Sequence, residues 1–518
     1  MEENKISKGK EILAILLLTM VIATGTFAWI VWSSKDNTKM NITIGDLADV
    51  SFKTGNDINI SNLSPSFYYD DGALTEFSVR KKKGLTTELN TNIYLDITSI
   101  SDELKNDNFK YVLLSSSDGN TYNEVASGSF KDASIGKLSI VTDTPLTDGK
   151  TYYKFYIWID GNNENNETMQ GKSLKGTLNV EVSTPPVNAV TLVEGLDTGS
   201  VGDDGSGVYA VHHDAIPAES SATGSTIPAV TDYRYYGPSP DNYICLDMEG
   251  QSTCPDKHLY RIIGSIYEEK ENTNRIKVIK ATPLTDGTTK GFSWDFTSSG
   301  SYSNIWATIT SGNYSNSLTS GSQLMKLLNS GLWWNGTSGS YYNNSTTATN
   351  VNFTNYKLSD KAKSYITTSR YYLGGYNTAY KVMTNQFYTY ERGTTRYDTN
   401  RPLYWDGMVG LMYPSDYGYA AGNTCVTGTD PNNYEGGCKN KDWLWMTTSS
   451  DYSNSAEWLM SSVTDDGTTF RAGSLGFVEG DFDVFSSYFH SVRPTFYLTS
   501  TTSIKSGTGT STDPYILS

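Results

Sequence analysis

The chain holds four cysteines and four histidines in 518 residues, and their spacing decides what chemistry is open to them. Cys245 and Cys254 bracket one short loop, and Cys425 and Cys438 bracket another rich in Gly, Asn and Asp. Thiols so placed close local disulfides or ligate a metal. Zinc requires C-x-x-C pairs or a histidine at ligand spacing, and none of His212, His213, His258 or His490 stands in that relation to a cysteine. Three pairings are open from sequence, and the two local ones suit an extracellular location best. His212-His213-Asp214 is no metal clip, because adjacent residues of a strand point to opposite faces. Asp465, Asp466, Glu479, Asp481 and Asp483 gather carboxylates of the kind glycoside hydrolysis uses in pairs, but acidic loops on an acidic chain read as solvation. The acidic loop at 160–167 could attract Ca²⁺, yet it departs from EF-hand spacing and reads as a solvated turn. No G-x-S-x-G, H-E-x-x-H, P-loop or G-x-G-x-x-G motif occurs, and His490, next to Ser491 and close to Arg493, reads as a strand residue. The expectation is a non-catalytic protein without cofactor or metal.

Aromatic residues are the other conspicuous chemistry. Trp294, Trp306, Trp333, Trp334, Trp405, Trp443, Trp445 and Trp458 are spread through segments rich in Ser, Asn and Gly, with Tyr recurring between them. Tyr and Trp provide rigid, amphipathic contact area suited to sugars or protein surfaces. Most of these tryptophans read as core. Trp333, Trp334 and Trp405 are the ones expected at the surface as ligand-binding residues, because neighbouring Gly and Asn keep them near turns.

The elements that must position these residues begin with Lys5, Lys8 and Lys10, followed by an uncharged run over 12–32. At helical rise that run spans about 30 Å, the thickness of a bilayer's hydrocarbon core. Segment 1–39 therefore reads as a transmembrane anchor or a signal peptide, with Ala28 the cleavage point if it is removed. A membrane partner and an extracellular location follow. The net charge of −16 excludes the clustered cations that nucleic-acid binding needs. Only 19% of residues are charged, and the abundance of Ser, Thr, Asn, Gly and Tyr favours strands and turns, so the fold class is mainly β.

Segment 40–183 reads as a β-sandwich domain. Tyr153, Phe155, Ile157 and Ile159 alternate with Lys154, Tyr156, Trp158 and Asp160, and similar alternation runs through 93–98 and 178–183. Segment 184–232, with Pro185-Pro186 and runs of Gly, Ser and Asp, reads as a flexible linker carrying at most one short strand near 208–211. Segment 233–518 reads as a larger β-rich α+β domain. It contains a hairpin, 259–266 with 275–280, and short helices at 322–330 and after Ser359.

Gly25-Thr26-Phe27-Ala28-Trp29, Ile60-Ser61-Asn62-Leu63-Ser64-Pro65 and Met169-Gln170-Gly171-Lys172-Ser173-Leu174 resemble the camelysin and biofilm-matrix fibre-subunit family of Gram-positive bacteria. That resemblance implies a jelly-roll sandwich, processing by a dedicated signal peptidase and, in some members, fibre assembly by strand donation. Asp232-Tyr233-Arg234, Leu259-Tyr260-Arg261, Ser415-Asp416-Tyr417, Glu457-Trp458-Leu459 and Val492-Arg493-Pro494 resemble an uncharacterised domain of surface proteins from gut-dwelling Gram-positive bacteria. The ending also looks C-type-lectin-like, but Glu-Pro-Asn and Trp-Asn-Asp are absent, so calcium-dependent sugar binding does not carry over. The expected function is an exported cell-surface adhesin or ligand-binding module, engaging glycan or a surface protein, on a β-sandwich stalk. The alternative is a self-associating subunit of an extracellular fibre or biofilm matrix.

Overall fold

A computed structural model describes residues 40–518 apart from 45–46, 86–87, 163–165, 200–204, 296–305, 308, 311–312, 315–320, 345–346, 397–400, 447–455, 465–467 and 483–489. The anchor or signal segment and Ala28 lie outside the described residues. The chain is mainly β, and it divides into two compact units, Met1–Pro186 and Val187–Ser518.

In the first unit, strands β1 (Met40–Ile44), β2 (Ala48–Phe52), β3 (Asp57–Ile60), β4 (Pro65–Ser66), β5 (Ala73–Lys81) and β6 (Asn90–Ile100) are followed by β7 (Phe109–Ser116), β8 (Asn123–Ser129), β9 (Gly136–Pro145), β10 (Lys150–Asp160) and β11 (Leu174–Ser183). One sheet runs β1-β2-β5-β10-β7-β8, with β4 added parallel to β10, and the other runs β3-β11-β6-β9. The two-residue period decides which face is covered: Tyr153, Phe155, Ile157 and Ile159 of β10 meet Ile93, Leu95 and Ile97 of β6 and Leu178 and Val182 of β11 in one core. This is a β-sandwich.

The second unit opens earlier than the linker reading allows. β12 (Val187–Asn188) leads into helix α1 (Ala189–Glu194), whose first N–H groups are capped by the Asn188 side chain. β13 (Gly207–His213) and β14 (Val230–Tyr236) then pair antiparallel over seven residues and join β15 (Tyr243–Cys245), β16 (Leu259–Glu268) and β17 (Thr273–Lys280) in a nine-stranded sheet. Strands Thr495–Tyr497, Ser503–Ser506 and Tyr515–Leu517 complete it. Segment 184–232 is thus no linker beyond Pro186. Few of its side chains are large, but Val193, Val208, Ile216, Ala222 and Ile227 are buried in the second unit's core, offsetting the ordering entropy that composition alone emphasises.

Two helices follow as the caps indicate, α2 (Gln323–Asn329) from Ser322 and α4 (Asp360–Ser364) from Ser359; between them an uncapped turn of helix, α3 (Leu332–Asn335), follows Gly331 and is not expected from the sequence. The hairpin β16–β17 forms with Tyr260 opposite Lys280. Its second strand is a surprise in one respect. Arg275, Lys277 and Lys280, on a strand that alternates basic with apolar residues, are buried along with Ile276, Val278 and Ile279.

Because 187–232 contributes strands and core, a fragment of residues 187–518 is expected to unfold cooperatively, whereas residues 233–518 alone give no cooperative thermal transition by circular dichroism. Equal transitions in both fragments would restore the linker reading.

Candidate binding surface

The tryptophans expected at the surface of the second unit are mostly inside it. Trp333 and Trp405 are 1% and 2% exposed, and Trp334 is half-buried under Lys363, whose Nζ lies 5.0 Å from its ring and donates to its carbonyl at 2.6 Å. The glycine beside Trp405 is the reason, since an added Cβ on Gly407 would collide with the indole. What reads in sequence as a turn marker is the space into which the ring folds. Trp458, Trp294, Trp306, Trp405, Tyr371 and Tyr497 form a continuous chain of rings with successive centroids 6.0, 5.3, 6.0, 5.6 and 6.0 Å apart. Such offset and edge-on contacts stabilise a core.

The segments that carry the second resemblance converge on buried charge. Asp232 and Arg234 of β14 pair at 2.8 Å, Arg234 reaches Asp416 of α6 (Pro414–Tyr419) at 2.9 Å, and Lys277 of β17 reaches the other Asp416 oxygen at 2.5 Å. His213 joins Asp232 at 3.0 Å and stacks on Tyr388, their ring centroids 3.5 Å apart. Glu391, at the end of helix α5 (Thr384–Glu391, which precedes α6), accepts from the Ser415 N–H and hydroxyl at 2.9 and 2.5 Å and pairs with Arg392 at 3.3 Å. A second pair, Arg493 and Glu457, is doubly hydrogen-bonded, and Arg493 also donates to the Leu444 carbonyl at 2.7 Å. Burial pushes Glu391 up to about 7 and lowers His213 and Lys277. Burial also opposes ionisation of Asp416, but Lys277 and Arg234 outweigh it and hold the carboxyl below its ordinary range. With all these side chains buried, the network braces the fold rather than meeting a ligand.

Both local disulfides are present, Cys245–Cys254 and Cys425–Cys438, compatible with an oxidising compartment. The first loop assembles Asp247, Glu249 and His258, with candidate ligand atoms within 4.8 Å of one another. Several of these atoms are engaged with neighbouring groups. Glu249 Oε1 is shared by Lys257 at 2.9 Å and His258 Nε2 at 3.1 Å, while Asp247 accepts from the Ser359 hydroxyl at 2.6 Å and the Glu249 N–H at 3.0 Å. Lys257 and His258 thus share one Glu249 oxygen in an ionic clasp across the loop, and the buried His258 Nδ1 has no hydrogen-bond partner among the described residues. His490 is buried against Trp458 and within 3.2 Å of Arg471, which also pairs with Glu479 at 2.6 Å. Asp465, Asp466 and Asp483 lie outside the described residues, as does part of the acidic loop at 160–167; Asp160 there pairs with Lys110 at 2.6 Å.

Exposed rings cluster instead on the sandwich. Phe67, Tyr68 and Tyr69 are 68%, 69% and 41% exposed and Leu74 is 41% exposed. The cause is the outward half of β10's alternation. Tyr156 and Trp158 point away from the core, opposite Val112 and Lys110 of β7, and Tyr156 also faces Leu74 of β5. Between β4 and β5 a single 3₁₀ turn, Tyr69–Asp71, lies over this face, so that Tyr69 sits 5.2 Å from Tyr156 and 6.1 Å from Trp158, ring to ring. Gly72 permits that approach, since a Cβ there would meet the Ile157 carbonyl oxygen at 2.4 Å. Ser66 fixes the turn by accepting from the Tyr68 N–H at 3.1 Å and donating to Asp71 at 2.5 Å. Exposed Asp70 and the Lys110–Asp160 pair frame the rings with hydrogen-bonding groups. The alternation of β10 did not mark this face as a site; the signal was two large aromatics, Tyr156 and Trp158, on the side opposite Tyr153, Phe155, Ile157 and Ile159.

The chain matches no family model and no curated protein.

Two outcomes follow from the interior. Trp405→Ala is expected to cost about 3–5 kcal/mol, as for other buried aromatic truncations, read from the denaturant midpoint; an exposed ligand-binding ring would cost under about 0.5 kcal/mol. Glu391 titrates from 4.5 in the unfolded chain to about 7 when folded, so the unfolded state sheds its proton first and stability falls as pH rises across that window. His213, lowered by burial, has the opposite slope, losing stability as pH falls. Comparing wild type with Glu391→Gln isolates the glutamate. The wild type should lose ground to the variant between those pH values, and a constant gap would refute the assignment.

Proposed function

We propose that this chain is an exported bacterial cell-surface protein that binds glycan non-catalytically through the outer aromatic face of its sandwich. The observation that carries this reading is the exposed group of Phe67, Tyr68, Tyr69 and Leu74, laid over the half-buried Trp158 of β10 by the turn at Tyr69–Asp71 and bordered by the exposed carboxylate of Asp70. Aromatic faces stack on the apolar faces of sugar rings, and nearby carboxylates accept hydrogen bonds from their hydroxyls. The platform is small. A stable protein partner takes about 20–30 residues a side, more than this cluster supplies, whereas a short run of sugar rings needs only a few aromatic contacts. The two disulfides and the oily N-terminal run with leading lysines support export. The resemblance of both parts of the chain to Gram-positive surface proteins supports the cell-surface assignment.

A fibre subunit is the second reading, favoured by one feature. Edge strands β8 and β9 end the two sheets on the same side of the sandwich, and a cleft of about 350 Å³ opens there, lined by Thr91, Ser115, Asp118, Val125, Val141 and Tyr153 among others. Unpaired strand edges invite a strand from a second copy.

Residues 40–518 applied to a glycan array are expected to be retained, and Tyr69→Ala or Trp158→Ala to weaken retention about tenfold or more, while Trp334→Ala leaves it unchanged. A protein that ignores glycans but forms filaments with rising concentration in electron micrographs would replace the binding role with the fibre role. Silence in both assays would end both.

A further inference from the structure

Beyond this binding role, Lys277 and Asp416 are held in direct contact inside the second unit, away from water. Lys277 Nζ lies 2.5 Å from Asp416 Oδ2, and both side chains are 1% exposed. Nζ sits over the rings of Tyr413 and Tyr497, 4.4 and 5.5 Å from their centroids. An ammonium has three N–H donors, and Asp416 is the single hydrogen-bond acceptor of Nζ among the described residues. The two remaining N–H donors face aromatic rings, a cation–π contact that compensates only part of their lost hydrogen bonding. On the other side, the Asp416 carboxyl is immobilised: Oδ1 accepts from Arg234 at 2.9 Å and Oδ2 from the Tyr413 N–H at 3.0 Å.

We propose that Lys277 and Asp416 condense to an intramolecular amide that covalently joins β17 to α6. Nζ bonds to Cγ of Asp416 and loses two protons; the Cγ–Oδ2 bond breaks, and Oδ2 leaves with those protons as water. Ammonium plus carboxylate equals amide plus water, so no oxidant, reductant or cofactor enters. Arg234 remains on Oδ1, where negative charge collects in the tetrahedral intermediate. Holding the two groups in contact replaces a bimolecular encounter, and exclusion of water removes the hydrolysis that opposes amide formation in solution. Burial also lowers Lys277, favouring the neutral amine that attacks; the proton it sheds passes to the touching Asp416 Oδ2, whose ionisation depends in part on the Lys277 charge.

The charge inventory of the cluster survives the reaction. One cation and one anion disappear together, leaving Arg234 on Asp232 and Arg392 on Glu391. The amide nitrogen keeps a single N–H, so the surplus donors vanish as well. Its mechanical effect is a clamp across 139 residues of sequence, restricting the unfolded chain as a disulfide of that span would but indifferent to reductants.

Peptide mapping of the exported full-length chain after reduction and tryptic digestion decides the matter. Trypsin does not cut at an acylated lysine. The expected result is a branched species, one water lighter than its parts, joining the peptide that contains Lys277 to the one that contains Asp416, with no cleavage after Lys277. The branch should be lost in Lys277→Arg and in Asp416→Ala. Cleavage after Lys277 together with a linear Asp416 peptide of full mass, from protein whose two disulfides are formed, would overturn the proposal whatever the variants do. A branch that persists in Lys277→Arg would overturn the choice of lysine.

Discussion

Buried charge is the constraint around which the second unit is arranged. Removing Asp232, Arg234, Lys277, Asp416, Glu391, Arg392, Glu457 and Arg493 from water is tolerable only because each meets an opposite charge or hydrogen-bonding partner. Those partners come from far apart in the chain: Arg234 and Asp416 are separated by 182 residues, and Lys277 and Asp416 by 139. The requirement that all of them be satisfied together selects one arrangement of β14, β17, α5 and α6. Alternatives that strand any one charge are penalised by far more than a lost surface contact.

Aromatic residues solve a different problem in each unit. In the second, rings fill the volume between short strands and loops that lack long aliphatic stretches, and Gly407 provides the space that Trp405 occupies. In the sandwich, Tyr153, Phe155, Ile157 and Ile159 already close the core from one side of β10, so Tyr156 and Trp158 are left on the other face. Tyr69, laid over them by the turn at Tyr69–Asp71, partly shields these rings and leaves Phe67 and Tyr68 in solvent. An apolar surface maintained by a specific turn, with Gly72 admitting the approach, is a built feature and not a stray exposed residue.

Much of the fold is legible in the sequence. The alternation of β10, the caps Ser322 and Ser359, the β16–β17 hairpin and the local cysteine pairs all depend on residues close together in the chain, and each appears where the pattern places it. The stretch 187–232 is the largest misreading, because small polar residues say little about what a few buried ones, Val208, Ile216 and Ile227, accomplish when a sheet receives them. The candidate site was hidden for a related reason. Trp333 and Trp405 carry the same local signs of exposure as a true surface ring, Gly and Asn nearby, while Trp158 sits in an ordinary alternating strand.

By itself, then, the sequence determined which positions share a face, where the helices capped by Ser322 and Ser359 begin, and that local pairing of the cysteines suits their spacing best. Only the tertiary structure decided whether a given face is covered. A period of two reports that neighbouring side chains diverge; it carries no information about what packs against either side. So Lys277 of β17 lies buried against a carboxylate 139 residues away, while Tyr156 and Trp158 on the outer face of β10 are covered by a turn whose own rings, Tyr68 and Tyr69, stand in solvent. Burial belongs to pairs of surfaces brought together by the fold, and those pairings are set by long-range complementarity of shape and charge.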